Sequence, residues 1–300
     1  MRIGISVSST NTAHDARTGA RHMVERAKTA GDAGLETLFI GDHHVTAFNY
    51  YQNNAILGRM LAGWSDKPFG ALYLLPLWNP VLLAEQIGTL ACLAPGRFIM
   101  QCGLGDRRSG EAMGIDMSKR VGLFETSLKV MRALWAGETV SEDRYFHLKD
   151  AQINPVPPEP VEVWVGALVP DAIKRAARMG DAWLAAPNLT HNEAGDATSR
   201  YLDACSEVSK TPKAVAIRRD IYIGATSEEA EAVVRPYIDS GYRGMSPESL
   251  MYGSVEDVAA QMHRFGELGF TDIIVRNIST DQSQALATIE RLADVKALLR

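Results

Sequence analysis

The stretch Gly34–His44 reads GLETLFIGDHH. Its apolar run, Thr37–Ile40, is bounded by Gly41, which is the pattern of a β-strand buried on both faces. An Asp-His-His triplet, Asp42–His44, follows where the strand ends. Titratable side chains at the carboxyl ends of parallel strands are typical of active sites in α/β folds. The stretch therefore predicts a buried parallel strand and the edge of the sheet where chemistry takes place.

Composition excludes several classes of function. The 300-residue chain is 46% hydrophobic and 22% charged, as in globular proteins, and its net charge of -5 lacks the basic field that nucleic-acid binding needs. The most apolar stretch, Phe69–Trp78, is too short to span a bilayer. Arg2 leads directly into a strand-like segment without a signal-peptide core, and three widely spaced cysteines argue against a disulfide framework. We expect a cytoplasmic protein that binds neither nucleic acid nor a membrane.

Strand-like and helical segments alternate almost throughout the chain. The predicted strands are Ile3–Ser8, Thr37–His43, Phe69–Leu77, Arg97–Leu104, Val161–Leu168, Ala182–Pro187, Val215–Gly224 and Asp272–Asn277. Apolar residues at helical spacing predict helices over Gly19–Ala33, Pro80–Leu93, Ser118–Trp135, Asp171–Met179, Asn192–Val208, Glu228–Ser240, Val255–Leu268 and Gln282–Leu299. Eight strands with helical crossovers predict an α/β fold, a (β/α)8 TIM barrel, rather than two doubly wound domains, because no Pro/Gly/Ser-rich linker divides the chain. We expect one domain over residues 1–300, with a hairpin excursion near 138–160.

The Asp42–His44 triplet is the first candidate site. A lone histidine on a strand is more often structural, but three polar groups at the end of an apolar strand favour acid–base chemistry. A zinc-dependent barrel hydrolase is a competing interpretation. Adjacent strand residues point to opposite faces, so His43 and His44 do not both reach inward from a regular strand. The chain has no other HxH or HExxH spacing, and we predict no metal site.

Arg97–Gly110, RFIMQCGLGDRRSG, is a second candidate. It fits neither the dinucleotide-binding fingerprint, because Arg108 stands at the third glycine, nor the phosphate loop, because Glu111 stands where lysine is required. What remains is a glycine-rich strand end that a flat or phosphorylated ligand can approach. A local basic cluster stands beside it, and ligand binding and plain solvation explain that cluster about equally well: Arg107, Arg108, Lys119 and Arg120.

A third candidate is the turn at Gly166 and Ala167, which follows a strand and precedes a helix. Free N–H groups at a helix amino terminus favour an anion, although such βα turns recur in any barrel. Three aromatic residues in the polar loop after the triplet are candidates for the lining of a pocket for a ring-shaped ligand: Phe48, Tyr50 and Tyr51.

At these residues the chain resembles the bacterial luciferase-like flavin and deazaflavin oxidoreductases. Besides GLETLFIGDHH, the resemblance rests on NPVLLAEQIGTLACLAPGRFIMQCGLGD (79–106), RVGLFETSLKVMRALWAGETV (120–140) and VWVGAL…ARMGDAW (163–183), with a weaker echo in SVEDVAAQMHRFGELGFTDIIVR (254–276). It implies a TIM barrel with an isoalloxazine-type ring across its carboxyl-end mouth. It also implies a homodimer, and a bulge at Leu72–Leu75, often with a non-proline cis peptide, that supports the ring from behind. The residues that it assigns to the cofactor are Asp42, Leu72, Tyr73, Leu75, Gly105, Arg107, Gly166, Ala167 and Leu168.

The Asp at the triplet and the spelling ACLAPGR (91–97) are similar to the branch that uses the deazaflavin coenzyme F420. In that branch an acidic residue after the strand-four glycines acts near the substrate, and Asp106 matches it. The sequence departs from the branch's sugar-phosphate dehydrogenases, because Ala186–Leu189 stands where a lysine is expected. Ala47 and Phe48 also replace a tryptophan after the triplet.

The resemblance therefore implies hydride transfer between F420 and a small organic substrate, with His43 exchanging the substrate proton. Asp106 is the second acid–base group or an orienting partner, and Arg107 and Arg108 face the acidic tail of the coenzyme. An FMN-dependent luciferase-like monooxygenase and a non-catalytic flavin-binding barrel are the alternatives, ahead of the zinc hydrolase.

Overall fold

The computed structural model describes residues 1–299, and within them eight parallel strands close into a barrel. The strands are β1 (Arg2–Val7), β2 (Thr10–Asn11), β3 (Thr37–Ile40), β4 (Asn49–Tyr50), β5 (Phe69–Leu74), β6 (Phe98–Gly103), β7 (Val140–Glu142), β8 (Leu148–Ala151), β9 (Glu162–Ala167), β10 (Ala182–Ala185), β11 (Val215–Ile223), β12 (Met251–Gly253) and β13 (Asp272–Asn277). The barrel order is β1-β3-β5-β6-β9-β10-β11-β13, and β13 pairs with β1 to close the ring. The predicted TIM barrel is confirmed.

Helices follow the barrel strands and cover their outer faces. They are α1 (Ala16–Asp32), α2 (Asn53–Leu61), α3 (Pro80–Leu93), α4 (Arg107–Ala112), α5 (Arg120–Trp135), α6 (Pro170–Met179), α7 (His191–Glu207), α8 (Ser227–Asp239), α9 (Val255–Glu267) and α10 (Gln282–Leu298). Among the described residues, no helix is long and apolar enough to cross a membrane. The predicted bounds of α3 and β13 agree with the structure, whereas the short helices α2 and α4 were not predicted. Gly58 inside the nine-residue α2 weakens the sequence signal for that helix.

The barrel interior below the mouth is filled by inward-facing side chains. Phe39 of β3 and Trp164 of β9 lie with ring centroids 5.5 Å apart in a small buried cluster that also holds Ile99 and Ile274. A larger apolar cluster fills the space between the strands and the helices. Because this packing closes the lower part of the barrel, open space remains at the carboxyl ends of the strands.

Two short antiparallel pairs lie outside the barrel. β2 pairs with β4 and brings Tyr50 opposite Thr10 near the mouth. β7 pairs with β8, and the Glu142 carboxylate accepts backbone N–H groups from Arg144 and Phe146 in the turn between them. The first pair matters for function because it fixes an aromatic side chain beside the Asp42–His44 triplet.

Candidate active site

A cavity of about 640 Å³ lies at the carboxyl-end mouth of the barrel. Residues on or directly after each of the eight barrel strands form its wall, from Ser6 on β1 to Arg276 on β13. Most of the predicted site residues line it: Asp42, His43, Leu72, Gly105, Asp106, Gly166, Ala167 and Leu168. The strand ends therefore bring together residues that are far apart in the sequence.

Asp42 is buried and joins β3 to the end of β5. Its Oδ2 accepts the Leu74 N–H at 2.9 Å and the Trp78 Nε1–H at 2.8 Å. Asn53 Nδ2 lies 3.4 Å from Oδ1 and also donates to the Leu72 carbonyl at 2.9 Å. Asp42 therefore holds the wall that Leu72 and Leu74 present to the cavity.

The two adjacent histidines have different surroundings. The strand was predicted to continue to His43 but ends at Ile40, so the triplet lies in a loop. His43 lines the cavity, whereas His44 Nε2 lies 3.1 Å from Asp42 Oδ1, with its ring 5.5 Å from that of Trp78. The Asp42 carboxylate beside its ring raises the pKa of His44, although burial opposes the charge. Among residues 1–299, no group of three or more His, Cys, Asp or Glu side chains is placed to hold a metal ion.

His43 lies between an aspartate and an arginine side chain at the rim of the cavity. Its Nδ1 is 3.8 Å from Asp106 Oδ2, and Arg108 Nη2 approaches its Nε2 at 3.4 Å. Arg108 also donates to the Val45 carbonyl at 2.8 Å, which ties the triplet loop to α4. Arginine only donates, so a hydrogen bond to Nε2 assigns the proton of a neutral His43 to Nδ1, on the side of Asp106.

Asp106 is the N-cap of α4, and its Oδ1 accepts the Ser109 N–H at 2.9 Å. Partial burial opposes ionisation of this carboxyl. The hydrogen bonds from Ser109 and the charges of His43 and Arg108 outweigh burial and lower the pKa of Asp106. Asp106 is therefore a carboxylate near neutral pH, suited to orienting a histidine.

The end of β5 differs from the expectation. Its side chains alternate, so Leu72 and Leu74 face the cavity while Tyr73 and Leu75 are fully buried and do not line it. The expected non-proline cis peptide is not found in Leu72–Leu75; within residues 1–299 the cis bond is Asn154–Pro155. The strand instead continues into a 3₁₀ turn, and Asp42 holds its last N–H.

The glycine-rich turns leave one side of the cavity without side chains. Gly103, Gly105 and Gly166 all line it, and a Cβ on Gly166 would meet only the Cys102 carbonyl, at 3.4 Å. Arg107 does not line the cavity, because it points outward and pairs with Glu111 at 2.7 Å. Arg108, its neighbour, is the arginine of this segment that reaches the site.

Sequence reasoning missed three arginines on the side of the mouth formed by β11 and β13. Arg218, Arg243 and Arg276 line the cavity, and the buried Asp220 lies among them. The available signal was charge within two largely apolar strands, at Arg218 in β11 and at Arg276 in β13, whereas Arg243 lies in a turn outside both strands. Tyr50 and Phe48, both proposed from the sequence as pocket residues, line the cavity as well.

Tyr50 lies close to the triplet because residue 41 is glycine. A Cβ on Gly41 would come within 2.7 Å of the Tyr50 hydroxyl. The ring of Tyr50 lies 5.6 Å from that of His43. Gly41 therefore permits an aromatic wall beside the candidate proton-transfer residue.

Comparison with known proteins agrees with this geometry. A model of the luciferase-like monooxygenase family matches residues 1–287. An F420-dependent glucose-6-phosphate dehydrogenase of Kineococcus radiotolerans is 25% identical over 93% of this chain and 93% of its own length. The structure of monooxygenase RslO1 from Streptomyces bottropensis gives a TM-score of 0.86 at 19% identity, covering 98% of both chains. That of an F420-dependent secondary alcohol dehydrogenase with an F420-acetone adduct gives 0.82 at 19%, covering 100% of this chain and 99% of that one. The chain therefore belongs to the luciferase-like monooxygenase family.

Proposed function

We propose that this chain is an F420-dependent oxidoreductase that passes a hydride between the deazaflavin and a small organic substrate. The observation that carries the proposal is His43, held between Asp106 and Arg108 at the rim of a glycine-lined cavity in the barrel mouth. A relative of matching length with this cofactor in its name supports the same chemistry.

The cavity fits a flat ring with a phosphate-bearing chain. Leu72 and Leu74 form an apolar wall, while Gly103 and Gly166 leave room for the ring to approach the backbone opposite. The turns at Gly105 and at Ala167 and Leu168 are the proposed holders of the ribityl phosphate. Asp42 acts from behind this wall, since its carboxylate binds the Leu74 N–H.

The ring, when bound, supplies the hydride transfer, and the protein supplies position and proton transfer. His43 is the proposed acid–base group, with Nε2 exchanging the substrate proton. Protonation of Nε2 ends the contact with Arg108, since both groups then only donate. The Asp106 carboxylate, 3.8 Å from Nδ1, stabilises the imidazolium that forms and keeps the ring oriented.

A binding titration tests the proposal. Purified protein is titrated with coenzyme F420 and separately with FMN, and ring fluorescence is followed at low and high salt. We expect the deazaflavin to bind with micromolar affinity that salt weakens, and FMN to bind poorly. Tight FMN binding without a response to the deazaflavin would overturn the proposal in favour of an FMN-dependent monooxygenase. Tight deazaflavin binding without turnover of any substrate would favour a non-catalytic binding protein.

The chain's organisation is a proposal as well. We propose one barrel domain over residues 1–300 that works as a homodimer in the cytoplasm. The family resemblance supports the dimer, and three unpaired cysteines agree with a reducing compartment. Light scattering during size-exclusion chromatography tests the dimer, and a monomeric mass at micromolar concentration would contradict it.

A further inference from the structure

Three arginines meet at the mouth around one buried carboxylate. Arg218 Nε lies 3.1 Å from Asp220 Oδ1, and Arg243 Nε lies 3.8 Å from Oδ2, which also accepts the Tyr242 hydroxyl at 2.9 Å. Arg276 forms no ion pair among the described residues, and its Nη2 donates to Ser8 Oγ at 2.8 Å. The arginine cluster is defined here as Arg218, Arg243 and Arg276.

The arginine cluster carries more positive charge than its surroundings neutralise. Asp220 is the carboxylate that pairs within it, with both Arg218 and Arg243, so three positive charges face one negative charge in a chain of net charge -5. Burial, together with Arg218 and Arg243, lowers the pKa of Arg276 to about 10, so its guanidinium stays charged near neutral pH. Uncompensated, partly desolvated cations in a cavity attract an anion of matching size.

The position of the arginine cluster separates it from the proposed cofactor contacts. Arg218 lies on β11 and Arg276 on β13, across the ring of strands from β5 and β6, and Arg243 lies in the turn after α8. A second cavity, of about 270 Å³, shares Thr10, Arg243 and Arg276 with the first and has polar side chains such as Ser279 in its wall. A chemical group bound by the arginines would therefore have space in this second cavity and further hydrogen-bond donors around it.

We propose that the arginine cluster binds an oxyanion, carboxylate or phosphate, on the substrate that exchanges hydride at the mouth. The inference rests on the proposed function and adds the substrate class, a carbonyl compound or alcohol with an acidic group. Guanidinium groups suit this task because their paired N–H donors match the oxygens of both anions. The segment Ala186–Leu189 after β10, where the sugar-phosphate dehydrogenases are expected to have a lysine, contains no cationic side chain.

Binding of small oxyanions tests the arginine cluster first. The thermal midpoint of the deazaflavin-loaded protein is measured with inorganic phosphate, acetate or chloride at one ionic strength. We expect phosphate or acetate to raise the midpoint over chloride, as a ligand of the folded state does. Arg276→Gln should weaken this binding about tenfold and Arg276→Lys less, because lysine keeps the charge. Arg59→Gln, on the exposed face of α2, removes the same charge and should leave binding unchanged.

Two outcomes of this measurement overturn the proposal. One is a phosphate effect in Arg276→Gln and in Arg243→Gln that is as large as in the unchanged protein. If Arg276→Gln does not fold, Arg243→Gln alone serves for this comparison. The other is competition between phosphate and the deazaflavin, which would assign the arginine cluster to the cofactor's own anionic tail. The thermal midpoints are also measured with the same oxyanions on protein without deazaflavin, so that the test does not depend on cofactor binding.

Matched carbonyl compounds then test the substrate class. Reduced deazaflavin is oxidised with pyruvate against acetone and with glyceraldehyde 3-phosphate against glyceraldehyde; each carbonyl takes a hydride at carbon and a proton at oxygen. We expect kcat/KM at least about tenfold higher for an acidic member, and Arg276→Gln to remove that preference. Reduction of both members alike would overturn the inference and leave the hydride-transfer function standing. Reduction of none, with Arg276-dependent phosphate binding intact, would contradict the proposed function and not the oxyanion site.

Discussion

His43 is the residue on which the proposed proton transfer depends. His43→Asn keeps a polar side chain of similar size but removes the titratable ring, so we expect kcat/KM to fall about 10²–10⁴-fold. The dissociation constant of the deazaflavin should change little, because in the proposed binding mode the glycine turns and the β5 wall hold the ring. Steady-state kinetics and the fluorescence titration measure the two effects. Equal loss of binding and activity would place His43 in cofactor binding instead.

Asp106→Asn is the companion variant to His43→Asn. It keeps the N-cap oxygen for Ser109 but removes the charge that faces His43 Nδ1. We expect a smaller loss of kcat than for His43→Asn, because the side chain acts through the histidine. A loss as large as that of His43→Asn would instead make Asp106 a proton donor or acceptor in its own right.

His44 provides a stability signature that depends on pH. Its pKa is raised in the folded state by Asp42, so its ion pair stabilises the fold fully below the ordinary histidine pKa of about 6.5. That contribution is lost as the pH rises through the folded-state pKa. In urea unfolding we expect His44→Gln to cost about 1–2 kcal/mol near pH 6 and less near pH 9.

His263→Gln is the control for the His44 measurement. His263 is exposed on α9 and lies 3.6 Å from Glu267, so solvent screens its ion pair. The unfolding free energy of the His263→Gln variant should differ little from that of the unchanged protein at either pH. A cost for His44→Gln that grows toward high pH would mean that neutral His44, and not the ion pair, holds Asp42.

At the scale of elements, the carboxyl end of β9 keeps the cavity open. Gly166 has an inward position, and a side chain there would extend past the Cys102 carbonyl into the space proposed for the ring. We expect Gly166→Leu to weaken deazaflavin binding about tenfold or more while the protein stays folded. Fluorescence titration measures the affinity, and circular dichroism measures the fold.

Gly266→Leu is the matched control for the β9 variant. Gly266 lies on the exposed face of α9 with no atom within 4 Å of an added Cβ, so leucine should fit and favour the helix. Deazaflavin affinity should stay unchanged in this variant. Unchanged affinity in Gly166→Leu as well would show that the ring does not lie against β9.

At the scale of the whole molecule, Arg2 and Asp272 hold the first and last strands together. Arg2 Nε and Nη2 donate to the two Asp272 oxygens at 2.7 Å each, where β1 pairs with β13 to close the barrel. Asp272 is 1% exposed, and Arg2→Ala leaves its charge without this partner. We expect the free energy of unfolding to fall by about 2 kcal/mol, less than for a fully buried pair, because Arg2 is 41% exposed.

Lys28→Ala is the control for barrel closure. Lys28 pairs with Asp32 on the outer face of α1, both well exposed, and such pairs contribute at most about 1 kcal/mol. Equal costs for Lys28→Ala and Arg2→Ala in urea unfolding would show that the closing pair adds nothing beyond a surface ion pair.

The accuracy of the predictions from sequence differed between helices and strands. α3 was predicted with its observed bounds because its apolar residues recur at helical spacing, and in the structure Asn79 caps the helix and Pro80 occupies its first position. The phase of β5 was not predicted, since a strand buried on both faces is apolar throughout and does not show which residues face inward. Hence Tyr73 and Leu75 were assigned to the cofactor, although Leu72 and Leu74 line the cavity.

The sequence by itself determined the barrel and the edge where its site lies, because strand runs, helical spacing and caps are local patterns set by the backbone's two periodicities. Strand alternation predicted that His43 and His44 differ in direction, and they do, although both lie in a loop after the strand ends at Ile40. Only the tertiary structure decided that Asp42 binds Leu74 and Trp78 and that Arg108, not Arg107, reaches His43. It also decided that Arg243 joins Arg218 at Asp220. The contacts of Asp42 and of His43 join residues 32 to 65 positions apart, and closure of the barrel is what brings such strand ends within hydrogen-bond distance.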